Sequence, residues 1–199
     1  MHNKTQKGSW MVGVIVLALG WFLLYATRTA LSSALNEIGS FWGLSEGFLG
    51  ILSSSFFVSY ALLQVPGGML ADKFGSRKMI IISFGVQALG LLLGVLAQSP
   101  TQFLMARVLT GAGQASYFAC QQAILFFMLP SNKRAMGMAM TTAGAGIGSA
   151  AGFVLGNLLS VSSLGWKTPF MILAFVAGVY SVVVLFTVPE PPYGGRRAF

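Results

Sequence analysis

Long, nearly uncharged apolar runs dominate this chain and restrict how it can fold. Of its 199 residues, 55% are hydrophobic and 8% are charged, whereas a soluble domain has about 25% charged residues. Its 12 Lys and Arg and 4 Asp and Glu cannot cover the surface of a soluble fold of this size. The sequence has no Gly-X-Y period and too much apolar content for a disordered chain. It therefore predicts an integral membrane protein.

Six runs are long and apolar enough to cross a bilayer. A helix needs about 20 mostly apolar residues to do so, and a spanning backbone must satisfy its own polar groups, which favours helices. We predict an all-α membrane fold with spans at 10–35, 46–71, 79–97, 101–129, 135–159 and 166–188. The residues predicted to separate them are Gly39 with Gly43, Gly75, Pro100, Pro130, Gly165 and Pro189.

The basic residues between the runs indicate the orientation. Both ends and every second loop are basic, while the loops on the other side carry Lys167 alone. The basic set is Lys4, Lys7, Lys73, Arg77, Lys78, Lys133, Arg134, Arg196 and Arg197. Because Lys and Arg accumulate on the cytoplasmic side, both ends are predicted to be cytoplasmic. The predicted parts are a cytoplasmic tail (1–9), a six-helix transmembrane bundle (10–188), and a cytoplasmic tail or the start of a linker to another half (189–199).

Several function classes do not fit this sequence. The loops are too short for a catalytic domain, and no His lies in a span to activate a nucleophile, so we predict that the chain is not an enzyme. His2 and Cys120 are the only residues of their types, so neither a metal site nor a disulfide is expected, and no cofactor is predicted. The basic residues are scattered among apolar runs, which does not favour nucleic-acid binding.

Two arginines, Arg28 and Arg107, lie inside the first and fourth predicted spans. If the six spans form two inverted three-helix repeats, as in many secondary transporters, these two spans correspond and the guanidinium groups lie at similar depth in the outer membrane half. A buried charge usually faces a cavity or a partner, and no Asp or Glu lies in the centre of a span. The sequence therefore predicts an anionic ligand as the counter-charge. The alternative is that both side chains snorkel to the outer headgroups.

Polar residues at helical spacing accompany the two arginines. Tyr25 precedes Arg28 by three residues, Gln114 and Gln121 follow Arg107 at steps of seven, and Tyr60 lies in a similar stripe on the second span. These stripes predict a water-accessible cavity. The predicted substrate-binding residues are Arg28, Arg107, Tyr25, Tyr60, Gln114 and Gln121. The alternative is that each polar group only bonds between helices.

A glycine stripe marks the fifth span. Glycine recurs every four residues, at Gly144, Gly148, Gly152 and Gly156. Small residues at this spacing let two helix backbones approach closely. We therefore predict a packing role for these four residues, not ligand binding.

The loop after the second span carries a family signature. Residues 67–78 read GGMLADKFGSRK, which resembles the cytoplasmic loop motif of the major facilitator superfamily. The predicted gate residues are Gly68, Asp72, Lys73, Gly75, Arg77 and Lys78; Ser76 departs from the motif, where a base is usual. The resemblance implies that this loop locks the cytoplasmic side by contacting the opposite half of a twelve-span transporter. The stretch 107–114 is similar to the family's span-four motif.

The resemblance also implies a ligand class. Tyr25 with Arg28, and Arg107 later, are similar to the branches that move organic anions such as carboxylates, sugar acids and phosphate esters. In several proton-coupled members a Glu stands where this chain has Gln114. Gln cannot take up a proton. At this position the chain is therefore more similar to the organophosphate:phosphate exchangers, or it uses a different coupling scheme. The implied location is the plasma membrane, the inner membrane of a bacterium.

The chain matches only one half of a usual family member, the N-terminal six-helix half. Three interpretations follow: the chain needs a separately encoded second half, it pairs with itself, or it is a fragment without transport activity. The alternative to a transporter is a membrane sensor or a partner-binding module. The expected partners are the lipid bilayer, a small anionic solute and a second six-helix half.

Overall fold

A computed structural model describes residues 6–160 and 165–191 as a bundle of helices. The helices are α1 (Gln6–Trp42), α2 (Glu46–Phe74), α3 (Ser76–Leu96), α4 (Pro100–Gln114), α5 (Tyr117–Met128), α6 (Arg134–Ser160) and α7 (Lys167–Thr187), with a short 3-10 turn at Ser131–Lys133. No strand occurs in the described ranges. Five described helical segments are long and apolar enough to cross a membrane, and α4 with α5 occupies the fourth position. The prediction of an all-α membrane bundle is confirmed.

The first helix is longer than predicted at both ends. It begins at Gln6, inside the segment predicted as a tail, and continues past Leu35 to Trp42. Gly39 does not end the helix. A Cβ there would lie 3.0 Å from Leu49 Cδ1, so this glycine leaves room for α2. The helix ends at Trp42, and the next residue, Gly43, has a φ of 61° that suits glycine. His2, Lys4, Arg196 and Arg197 lie outside the described residues.

The fourth span, predicted at 101–129, is helical but is interrupted by a two-residue turn at 115–116. α4 ends at Gln114 and α5 begins at Tyr117. Between them the Ser116 hydroxyl forms a hydrogen bond with Ser83 of α3 at 2.5 Å. Gly113 also packs directly on the α3 backbone, where a Cβ would lie 2.6 Å from the Gln87 nitrogen.

The packing partners of the helices follow the predicted inverted symmetry. α1 lies along α6, α2 lies along α4, and α3 packs against both α4 and α7. Inverted repeats relate span one to span four, span two to span five, and span three to span six. Under this relation, the contact of α1 (span one) with α6 (span five) corresponds to the contact of α2 (span two) with α4 (span four). Two inverted three-helix repeats produce this arrangement. The core consists of two apolar clusters, one including Leu17, Leu24 and Tyr117, the other including Ala30, Leu52 and Phe103.

The outer surface of the bundle is apolar, as expected for contact with lipid or with further helices. Leu62, Val65, Phe175 and Phe186 are each at least 71% exposed. At one end of the bundle an aromatic cluster forms around Trp166, next to Lys167. Aromatic residues are typical of the two membrane interfaces.

Candidate functional site

A cavity of about 360 Å³ lies among α1, α2, α4 and α6. Four helices contribute its walls, so it forms only when the bundle is assembled. Its lining consists of Tyr25, Arg28, Thr29, Leu31, Ser32, Ser53, Phe56, Phe57, Arg107 and Ser149. The volume falls within the range of about 300–1,000 Å³ that is usual for small-molecule sites.

Arg28 and Arg107 meet at one aromatic ring. The Cζ atom of Arg28 lies 5.5 Å from the centroid of the Phe56 ring, and that of Arg107 lies 4.9 Å from it. Arg28 also lies over the rings of Tyr25 and Tyr60, at 4.8 Å and 4.7 Å. Arg107 is 3% exposed. Both guanidinium groups therefore face the interior of the bundle and line the same cavity.

The hydrogen-bonding capacity of the two arginines is mostly unused. Arg28 Nε donates to Oε1 of Gln114 at 3.0 Å. Arg28 Nη2, Arg107 Nε and Arg107 Nη1 are buried and have no hydrogen-bond partner among the described residues, and the same holds for Gln114 Nε2. A buried donor without a partner costs about 1–3 kcal/mol. These donors therefore favour a ligand that brings acceptors.

No carboxylate balances the two arginines within the cavity. All four acidic residues of the chain lie within the described ranges, and none lines it. Glu37 accepts a hydrogen bond from the Trp166 backbone, and Glu190 pairs with Arg77. Glu46 and Asp72 lie in the first and last turns of α2. The walls thus carry two positive charges and no negative charge.

The other predicted binding residues divide into two groups. Tyr60 contacts Arg28 through its ring, and its hydroxyl accepts a hydrogen bond from Gln64 Nε2 at 3.4 Å. Gln114 accepts the hydrogen bond from Arg28 and so holds it. Gln121, in contrast, lies on α5 and donates to Thr141 Oγ1 of α6 at 3.3 Å. The structure therefore brings Tyr25, Tyr60 and Gln114 to the arginines, and it places Gln121 in a helix contact elsewhere.

Phe56 is the central residue that the sequence reasoning missed. Its side chain is fully buried, and its ring stacks on Tyr60 with centroids 6.3 Å apart and planes 5° apart. A signal was present, since Phe56 lies three residues after Ser53 and four before Tyr60, on one helical face. An aromatic residue in an apolar span, however, has no pattern that separates it from other apolar residues of the span that do not contact the arginines.

The predicted gate motif lies at the turn between α2 and α3. Gly75 makes this turn with φ 100°, and a Cβ there would lie 2.6 Å from Oε1 of Glu190. The Arg77 backbone nitrogen donates to Oε1 of Glu190 at 3.2 Å, and Arg77 Nε lies 3.9 Å from Oε2. Glu190 was not among the predicted residues, although an acid between two prolines after the last span was a visible signal.

The remaining gate residues are less constrained. Asp72, Lys73 and Lys78 are exposed, and Lys73 Nζ lies 5.4 Å from the centroid of the Phe74 ring. Gly68 is half-buried, and a Cβ there would lie 3.8 Å from the nearest atom, the Cβ of Ala119. The gate motif thus presents most of its charges away from the described bundle.

The glycine stripe lies directly on α1. A Cβ at Gly144, Gly148 or Gly152 would collide with a backbone carbonyl oxygen of α1, and one at Gly156 would collide with the Ser33 hydroxyl. The α1 residues that meet the first three glycines are Ala18, Phe22 and Ala26. This close contact brings Ser149 of α6 to the cavity opposite the α1 arginine.

Comparison with known proteins identifies the family. The sequence pattern of the Major Facilitator Superfamily matches residues 17–199. The chain belongs to the major facilitator superfamily. This confirms the resemblance drawn from the loop motif, and it confirms a transporter family in place of an enzyme.

Superfamily relatives with related sequences include named anion transporters. A probable sulfoacetate transporter of Cupriavidus necator is 27% identical over 192 residues, which are 96% of this chain and 44% of that protein. A putative tartrate transporter of Agrobacterium vitis is 30% identical over 184 residues, 88% of this chain and 40% of that protein. This chain therefore spans less than half the length of either relative.

A solved superfamily structure has the same fold. It is a bacterial homologue of the human lysosomal transporter Spinster in an inward-facing, unoccupied conformation, with a TM-score of 0.86 at 22% identity. The match covers 94% of this chain and 45% of that one. The predicted fold, half of a major facilitator bundle, is confirmed.

Proposed function

We propose that this chain is the N-terminal half of a secondary transporter that moves a small organic anion by alternating access. One observation carries the proposal: two arginines from helices that correspond in the inverted repeats converge on a cavity without a carboxylate. The named sulfoacetate and tartrate transporters among the relatives support the same ligand class. Carboxylates, sugar acids and phosphate esters all offer acceptors that suit a guanidinium group.

Each residue has a distinct proposed role. Arg28 and Arg107 bind the anionic group, since a guanidinium presents a planar fork of donors to carboxylate or phosphate. Tyr25 and Tyr60 hold Arg28 between aromatic rings and orient the ligand. Gln114 positions Arg28 through the 3.0 Å hydrogen bond. Gln121 acts through its contact with Thr141, by fixing α5 against α6.

The α2–α3 turn is proposed to serve as the cytoplasmic gate. Its exposed Asp72, Lys73 and Lys78 are available to a second six-helix half, and Gly75 with Arg77 is fixed by Glu190. Replacement of Gly68 by Asp would place a charge beside Ala119 and is expected to block transport. Transport at the parent rate by this variant would contradict the gate assignment.

The proposal places the chain in the plasma membrane, the inner membrane of a bacterium, with both termini in the cytoplasm. It also requires a second six-helix half, because rocking-bundle transport uses two bundles around one site. Residues 189–199 would then form the cytoplasmic tail or the start of a linker.

The test is binding followed by transport. Purified chain in lipid nanodiscs is titrated with radiolabelled tartrate, sulfoacetate and glucuronate, and the same anions are offered to proteoliposomes with and without a co-expressed second half. Arg28→Gln and Arg107→Gln should each weaken the binding of tartrate and sulfoacetate at least tenfold, whereas Arg134→Gln, outside the cavity, should not. Unchanged anion binding in both cavity variants would contradict the proposed site. Anion binding with no uptake even beside a second half would favour a sensor over a transporter.

A further inference from the structure

The charge balance of the cavity points to the charge of its ligand. We propose that the ligand is a dianion, with one negative charge for each of Arg28 and Arg107. The inference rests on the proposed function, an anion-binding site, and narrows its ligand class from organic anions in general to those with two charges.

Each of the two guanidinium groups can bind an anionic group separately. Arg28 is enclosed by the rings of Tyr25, Phe56 and Tyr60, with Nε already bonded to Gln114. Arg107 contacts the ring of Phe56, and its Nε and Nη1 have no partner among the described residues. The two guanidinium groups have different surroundings, and both lie close to the Phe56 ring.

No carboxylate among the described residues cancels either positive charge. Gln114, the one hydrogen-bond acceptor that holds Arg28, is neutral, and the four acidic residues all lie outside the cavity lining. Aromatic faces attract a cation more weakly than a carboxylate does. A guanidinium keeps its proton in proteins. The described residues therefore leave both positive charges of the cavity walls uncompensated, and the ligand supplies the balancing charge.

Burial limits how far water can screen these charges. Arg107 is 3% exposed, so water screens its charge little. A monoanion would neutralise one guanidinium group and leave the charge of the other uncompensated next to it. A dianion would neutralise both guanidinium groups and satisfy hydrogen-bond donors on each. The two charges can lie on two groups, as in a short dicarboxylate, or on one, as in a phosphate monoester.

The experiment uses probes matched in shape and different in charge. The chain in nanodiscs is titrated at pH 7.5 with succinate and succinamate, and with glycerol 3-phosphate and its methyl diester. The first member of each pair is a dianion at this pH and the second is a monoanion. We expect at least one dianion to bind tenfold or more tightly than its partner. A preference in the succinate pair indicates two separate charged groups, and one in the phosphate pair indicates a single doubly charged group.

Two variants test whether the preference for dianions depends on the number of positive charges in the cavity or on a structural change. Arg28→Gln and Arg107→Gln should each weaken dianion binding about tenfold or more and leave monoanion binding within threefold, so that the preference disappears. If dianions and monoanions bind the parent chain within threefold of each other, the inference is wrong and the anion site stands. If the folded chain, checked by circular dichroism, binds none of these probes but binds glucuronate, a monoanion, the inference is also wrong. Binding of no anion at all would contradict the proposed function as well.

Discussion

Arg28 Nε donates to Gln114 Oε1 at 3.0 Å, a hydrogen bond that joins α1 to the end of α4 across 86 residues of sequence. The acceptor is uncharged, so it fixes the direction of the guanidinium without cancelling its charge. The bond forms where the fourth span breaks, because α4 ends at Gln114.

Replacing Gln114 by Glu should convert this bond into an ion pair. The new carboxylate would occupy Arg28 and lower the net positive charge of the cavity, so anion binding at neutral pH should weaken by tenfold or more, which corresponds to about 1.4 kcal/mol. Titration of the purified variant with a labelled anion measures the change.

The matched control for this variant is Gln102→Glu, on the same helix. Gln102 is exposed, and its Oε1 accepts a hydrogen bond from the Gln98 backbone, which a carboxylate can also accept. Binding should therefore stay at the parent level. Equal weakening in both variants would show that charge anywhere on α4, not the pair with Arg28, is responsible.

The glycine stripe predicts a sharp difference between neighbouring positions of α6. Gly148→Ala would push a methyl group into the Phe22 carbonyl of α1 and should destabilise the bundle by about 1–3 kcal/mol. A methyl group added at Gly146 would meet no atom within 4 Å, so Gly146→Ala should be neutral or slightly stabilising. Thermal unfolding in detergent, followed by circular dichroism, compares the two. Equal melting temperatures would contradict the close α1–α6 contact.

The two adjacent glycines of α2 should also differ, in the order opposite to that suggested by the motif. A Cβ at Gly67 would lie 2.9 Å from the Ser116 Cβ, whereas one at Gly68 would be in ordinary contact at 3.8 Å from Ala119. We expect Gly67→Ala to lower stability by about 1–3 kcal/mol and Gly68→Ala to be tolerated. Expression yield and melting temperature check this. A larger loss at position 68 would mean that the α2–α5 spacing is wrong.

Glu190 is expected to stabilise the end of the bundle that carries the α2–α3 turn. Glu190→Gln removes the charge that faces Arg77 at 3.9 Å, and the partly exposed pair should contribute less than about 1 kcal/mol. Local opening should nevertheless increase. Cys120, the chain's only cysteine, is fully buried in the core cluster that also contains Ala71.

Alkylation of Cys120 by N-ethylmaleimide measures that opening without an introduced label. The rate should rise severalfold in Glu190→Gln and stay unchanged in Glu46→Gln, which removes an exposed acid from the other end of α2. An equal rate in the parent and in both variants would show that Glu190 does not hold this end closed.

Patterns that repeat along one helix were readable from the sequence, and breaks that depend on neighbours were not. Glycine at every fourth position of α6 marks a face by itself, and the structure places that face on α1. Gly39 and Ser116 show the opposite case. Gly39 was predicted to end a helix but instead makes room for Leu49, whereas the turn at 115–116, beside the hydrogen bond between Ser116 and Ser83 of α3, was not predicted.

The sequence alone determined that this chain lies in a membrane as six spans, because apolar length and charge distribution act along the chain and need no tertiary contact. It also located two arginines where lipid would not tolerate them. Only the tertiary structure decided that both guanidinium groups meet at Phe56, that Gln114 holds one of them, and that Gln121 does not join them. Such choices depend on helix rotation and on the close approach of four helices, which packing sets and local sequence does not.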